Sequence, residues 1–370
     1  MKTVTILSLM LSISFFANAQ AGTWKVLETK NDVANRGECG LAAVNGKLYL
    51  IGGGDDPQAA QSFDPATLMW TTLAKAPILM HHFQAVALGD NIYVLEAFST
   101  NNFPNQTSMP NAYFYDTKKD KWQKGGEMTA ERRRAGAGAV AYNGKLYLVA
   151  GILHGHASGT TNLFDCYDPA TGKWTSLPDA PHVRDHCSAA VIKNKMYVVG
   201  GRNTSFRDPE NKIFFYSKTM LDVDCYDFET GKWSSLAAKL PLGSGGGAVV
   251  NLNDVLYYIG GERAIGEGPN GPRKNTFYLD PATQDQWTET DSLHYPRNGM
   301  AAAVINNRIY AAGGSGGGPG GPGYHLTNGK NPPPPASMGQ PNPPRPGPPP
   351  EIKSGTKQDK LIVEVFTLNR

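Results

Sequence analysis

A tryptophan returns six times along this 370-residue chain, at Trp24, Trp70, Trp122, Trp174, Trp233 and Trp287, at intervals of about 46 to 59 residues. No other feature constrains the fold as much, because self-similarity at such a period marks a repeat architecture. Most of these tryptophans close one phrase: Asp64-Pro65-Ala66-Thr67-Leu68-Met69-Trp70, Asp168-Pro169-Ala170-Thr171-Gly172-Lys173-Trp174 and Asp227-Phe228-Glu229-Thr230-Gly231-Lys232-Trp233. Asp116 stands at the same distance before Trp122, and Asp280 precedes Trp287 with one extra residue. A second phrase lies between them. Asn45-Gly46-Lys47-Leu48-Tyr49-Leu50-Ile51-Gly52-Gly53 returns at residues 143–151, 194–201, 254–261 and 307–314. The second unit keeps Tyr93 in register but has Glu96-Ala97 in place of the glycine pair.

Each unit reads as a four-stranded antiparallel meander. Asn-Gly and Asp-Pro-Ala-Thr-Gly are tight-turn sequences, supplying a positive φ or an Asx turn where strands reverse. Strand a is a run of small residues such as Leu41-Ala42-Ala43-Val44, strand b carries the Tyr and ends at the glycine pair, strand c ends at the Asp, and strand d carries the Trp. Small side chains suit innermost strands crowded at an axis, and the aromatics fill the widening space between sheets. The 42 Gly, 27 Pro and 16 Tyr, with only 18% charged residues, agree with an all-β protein rather than a helical one.

The pattern resembles the kelch repeat over nearly all of Trp24 to Leu368. The resemblance implies an all-β, six-bladed propeller of four-stranded antiparallel blades around a channel. Residues 361–366 read as strand c of the last blade with no Trp strand after them, while residues 23–27 are an orphan strand d. The N-terminal strand around Trp24 is therefore expected to close the ring by pairing with the C-terminal strand.

Around this core the chain carries two foreign segments. Met-Lys, an apolar run over residues 4–16 and Ala17-Asn18-Ala19 have the layout of a signal peptide, residues 1–19, which leaves a propeller over 20–370 and a secreted or periplasmic address. No membrane association is expected once that segment is cleaved. Residues 315–356 form a Gly/Pro-rich insertion inside the last blade, either a tolerated surface segment or a polyproline site for a protein partner. The net charge of +3 argues against nucleic acid as a partner. Cys39, Cys166, Cys187 and Cys225 fall in expected strands, where each packs as a small hydrophobe, although an even count after export also permits disulfides.

Long b–c connections and the d–a connections open on one face, and function concentrates on loops of a rigid scaffold. Thirteen residues before the strand-b Tyr stand Arg36, Arg134, Arg184 and Arg297, replaced by Met80 and Ser244 in blades two and five. One reading has these guanidiniums converge on the channel mouth, joined by Arg202 and offset by Glu38 and Glu262, as a pocket for a small anionic molecule or a carbohydrate. The other has Arg here as a repeat feature bonding backbone carbonyls. Arg134, Arg184 and Arg202 also resemble the arginines with which kelch domains of ubiquitin-ligase adaptors bind acidic peptides. His186 belongs to the same face. No cofactor is expected; the alternative is zinc or copper held by His82, His154, His156 and His186, since His-x-His with help from adjacent blades is a ligand pattern. The expected function is thus an exported ligand-binding propeller. The alternatives are a sugar epimerase similar to the periplasmic sialic-acid mutarotases and, least, a copper oxidase similar to galactose oxidase.

Overall fold

The turns build the blades as their chemistry requires. Asn45 and Gly46 both adopt positive φ, 49° and 77°, the conformation of a type I′ hairpin. The Asp ending strand c accepts a backbone N–H two residues on, Asp64 from Ala66, Asp168 from Ala170 and Asp280 from Ala282, at 2.8–2.9 Å. The computed structural model describes residues 20–206, 218–262, 271–315 and 360–369. The expected signal segment 1–19 and all of the Gly/Pro-rich insertion beyond Ser315 lie outside these.

Six sheets of four antiparallel strands follow in chain order. The innermost strands are Gly40–Val44, Val86–Leu88, Gly138–Tyr142, Ser188–Ile192, Ala248–Leu252 and Asn298–Ile305. In the sixth sheet the C-terminal strand Val363–Leu368 is flanked by the N-terminal strand Gly22–Val26, in register from Gly22 opposite Leu368 to Val26 opposite Glu364. The ring therefore closes as the orphan Trp24 strand implied. Among the described residues the helical content is one 3₁₀ turn, Ala130–Arg132, and no helix is long and apolar enough to cross a membrane.

The aromatics of the two phrases join neighbouring blades. Trp122, Trp174 and Trp233 donate their indole N–H to Ala74, Gly126 and Pro178 of the preceding blade. Tyr49 meets Tyr115, and Tyr257 meets Phe366, across blade boundaries. The four cysteines are buried free thiols. Cys39 and Cys187 stand one residue before strand a rather than inside it. In blade three the expected b–c loop is in fact an extension of the hairpin, with strands Lys145–His154 and Ser158–Asp168 and His156 at the tip.

Candidate functional site

Two stacked tiers form the mouth of the channel, the inner taking one residue from every blade and the outer a bridged pair from each of blades two to five. The inner tier is Glu38, His82, Gly136, His186, Gly246 and Gly299. Each backbone N–H donates to the carbonyl of the residue in the preceding blade, at 2.6–3.0 Å, and the sixth bond, Glu38 to Gly299, closes the circle. All six lie at left-handed φ between 51° and 65°. Glycine reaches this region freely, whereas a residue with a Cβ is strained there. Three blades use Gly; the other three carry Glu38, His82 and His186. A Cβ on Gly299 would collide with the Glu38 carboxylate, and one on Gly136 would lie 3.3 Å from His186 Nδ1. Gly299 and Gly136 thus make room for the Glu38 and His186 side chains.

The outer tier pairs the residue before each inner-tier member with the residue after the glycine pair. His81 bridges Phe98, Ala135 bridges Ile152, Asp185 bridges Arg202 and Gly245 bridges Glu262. Arg202 forms a salt bridge with Glu262, and Asn298 donates to the other Glu262 oxygen at 2.7 Å. Asp185 is buried. Its carboxylate accepts from the Thr204 hydroxyl and amide, at 2.6 and 3.0 Å, and from the Thr160 hydroxyl at 2.6 Å. The His186 ring nitrogen Nδ1 lies 2.6 Å from it. Burial pushes this carboxyl up, but His186, Arg202 and Thr160 together hold it below the usual carboxylate range.

His156 folds over from the blade-three hairpin tip, its Nε2 3.2 Å from His186 Nε2. The rings of His82, His156 and His186 pack with centroids 4.9–5.1 Å apart. Burial, aided by neighbouring His186 and Arg202, lowers His156 to about 2. Burial and the adjacent histidines likewise bring His82 well below 6.5. The Glu38 carboxylate, 3.7 Å from His82 Nε2, moves the other way: burial raises it, against the pull of His186 and Arg202. Beside this cluster, toward blades one and two, opens a cavity of about 570 Å³. Glu38, Asp55, Asp56, Asn101, His82 and Phe103 are among the residues on its wall.

The expected ring of arginines does not form. Arg134, Arg184 and Arg297 are fully buried and turn outward into their own blades. Each meets a buried carboxylate of strand c, Asp165, Asp224 and Glu364 respectively, at 2.7–2.8 Å. Each also donates to main-chain oxygens: Ala150, Leu148 and Leu163 for Arg134, Gly200 and Asp222 for Arg184, Gly313 and Ile362 for Arg297. Arg36 bonds the Leu50 and Ala59 carbonyls and is also among the residues that line the cavity. Four guanidiniums at one mouth would repel; inside separate blades, each is matched by carbonyls and three by a carboxylate. His154 is exposed at the end of strand b and stays out of the histidine cluster. Of the sequence-derived site residues, the structure gathers Glu38, His82, His156, His186, Arg202 and Glu262 at the mouth.

Sequence reasoning missed the inner tier as a unit, although it was legible: counting eleven residues back from each strand-b Tyr lands on its six members. It also missed the strand-c partners. Opposite the residue after that Tyr stand Asp165, Asp224 and Glu364 in three Arg blades and Gln61 in the fourth. Blades two and five, without the Arg, place Tyr113 and Phe277 there. Charge and partner vary together within the repeat.

A closed ring of six Tyr- and Trp-bearing blades, four of them with the full glycine pair, defines a kelch-type propeller. A family model described as the KLHDC2/KLHL20/DRC7 Kelch-repeats domain matches residues 84–314, more than half of the chain, and the chain belongs to the kelch-repeat family. It is 24% identical over 314 residues to Kelch-like protein terF of Aspergillus terreus, covering 79% of this chain and 64% of that one. It is 26% identical over 270 residues to Kelch-like protein 23 of Mus musculus, covering 72% of this chain and 43% of that one. The chain thus spans less than two thirds of either relative's length. The solved structure of YjhT superimposes with a TM-score of 0.64 at 19% identity, over 79% of this chain and 94% of that one, a likeness of fold.

Proposed function

We propose that the protein is a carbohydrate-binding propeller whose site is the cavity beside Glu38 and His82. The observation that carries this reading is the composition of the wall. Glu38, Asp55 and Asp56 supply carboxylate acceptors, Asn101 an amide, and Phe103, 56% exposed, an aromatic face. Carboxylates and amides that bond vicinal hydroxyls beside a ring that stacks on C–H surface suit a polyhydroxylated ligand, and the volume suits a small one. The anionic half of the expectation loses its donors, since the guanidiniums that were to supply them are matched inside the blades or, for Arg202, by Glu262. Export to the periplasm or beyond remains part of the proposal, because it would place the cavity where free sugars occur.

Saturation-transfer NMR with a panel of mono- and disaccharides tests the reading. A hydroxylated ligand should show contacts that weaken roughly tenfold or more in Asp55→Asn or Phe103→Ala, about the value of one hydrogen bond to a charged group. A panel without saturation transfer, or a hit indifferent to both substitutions, refutes it. The same spectra report anomeric interconversion, which separates a propeller that only binds from one that opens the sugar ring.

A further inference from the structure

We propose that His82, His156 and His186 form a three-histidine binding site for a divalent transition metal, zinc by donor set, at the throat of the channel. The inference stands whether or not the neighbouring cavity takes a sugar.

Geometry is the first support. The ligating atoms of the three histidines lie within 4.8 Å of one another although they come from three separate segments of chain. Two nitrogens bound tetrahedrally at zinc distances are about 3.3 Å apart. His156 Nε2 and His186 Nε2 are 3.2 Å apart. The Glu38 carboxylate lies beside this group rather than in it, its nearest oxygen 3.7 Å from His82 Nε2.

The hydrogen bonds around the cluster fix which nitrogens carry lone pairs. Asp185 can only accept, so His186 donates Nδ1–H to it and leaves Nε2 unprotonated. A carboxylate behind a ligating imidazole is the usual outer partner of a metal-bound histidine. On the opposite side, His81 Nε2 is 3.1 Å from the Thr100 carbonyl, which also only accepts. His81 therefore presents a bare Nδ1, His82 donates Nδ1–H to it across 2.5 Å, and His82 is left with its lone pair on Nε2. The lone pairs of His82 and His186 thus sit on the nitrogens opposite their outer partners, as ligands need.

Backbone strain is an independent support. His82 and His186 occupy left-handed φ at positions where three other blades use Gly. Side chains kept at such positions against a ready glycine alternative are a pointer to function. Phe98 and Phe103 pack beside the cluster, with ring centroids 5.3–5.4 Å from the imidazoles. Three imidazoles with a fourth position left open are a zinc donor set, and copper would compete by raw affinity.

Chelator-stripped full-length protein, titrated with zinc chloride in a calorimeter and with cobalt chloride in a spectrophotometer, tests the assignment. One ion per chain and visible d–d absorption of a tetrahedral cobalt site are expected. His156→Ala and His186→Ala should weaken binding about 10- to 100-fold, while His154→Ala, a neighbour on the same hairpin, should leave it unchanged. His82→Gly guards against misfolding: it installs the residue other blades use, so the metal-free variant should melt at or above the wild-type temperature while still losing affinity. A wild type without stoichiometric uptake overturns the proposal. So does binding that is unaltered in His82→Gly and His156→Ala, or that falls in His154→Ala.

Discussion

Arg184 shows how one side chain can look functional and be structural. Its guanidinium and the Asp224 carboxylate are both wholly buried, 2.8 Å apart, and Asp224 also takes Ser235 Oγ–H at 2.8 Å. Removing one partner of such a pair strands the other charge in a low-dielectric interior. Arg184→Ala should therefore lower unfolding free energy by about 3–5 kcal/mol in urea titrations. The double change Arg184→Met with Asp224→Tyr, the pairing blade two uses with Met80 and Tyr113, should cost less than the single one. Equal losses would show that the pair is not the relevant unit. The arginine positions were plain in the sequence, but their direction was not. A residue at a strand entry turns toward the axis or into its blade according to what lies two strands away, and that partner comes from a distant stretch of chain.

At the scale of elements, closure rests on two strands from opposite ends of the chain. Trp24 is 4% exposed, packs on Phe366 with centroids 5.3 Å apart and donates to Thr276 Oγ1 of blade five. Trp24→Ala should cost about 3–5 kcal/mol, the usual range for an aromatic removed from a core, and should expose the Gly22–Val26 strand first. Hydrogen exchange would then be fastest at residues 22–26 and 363–368; uniform acceleration around the ring would contradict a local seam. The short strand a of blade two, Val86–Leu88, has its own remedy. Gln84 spans the gap, accepting from Ala139 and Ala189 amides and donating to the Ala189 carbonyl at 2.8–3.0 Å. The closing strand could be read in advance because one Trp phrase lacked its first three strands and another unit lacked its fourth. The bridging glutamine could not, since its partners are one and two blades away.

For the whole molecule, the inner tier makes the channel mouth a single hydrogen-bonded circle, and its titrating groups link stability to pH. His156 has a folded pKa of about 2, against about 6.5 for an unfolded histidine. The unfolded chain therefore binds more protons below that value, so the metal-free protein should lose stability as pH falls from about 6.5, at up to roughly 1.4 kcal/mol per pH unit for each such group. His82 acts in the same direction. Glu38, raised by burial, opposes them: its contribution falls as pH rises above the unfolded carboxylate range. Melting temperatures between pH 4 and 7 should fall toward acid in wild type and less steeply in His156→Gln; parallel curves would remove His156 from the linkage. The sequence by itself determined the six blades, their four strands, the turns and the seam, because period, turn chemistry and aromatic spacing are local and repeat. Only the tertiary structure decided that three arginines are fully buried while Glu38, His82, His156 and His186 meet at the axis. Which side chains share a space depends on closing a circle of sheets, and each blade sees its neighbours' residues only after the last one is in place.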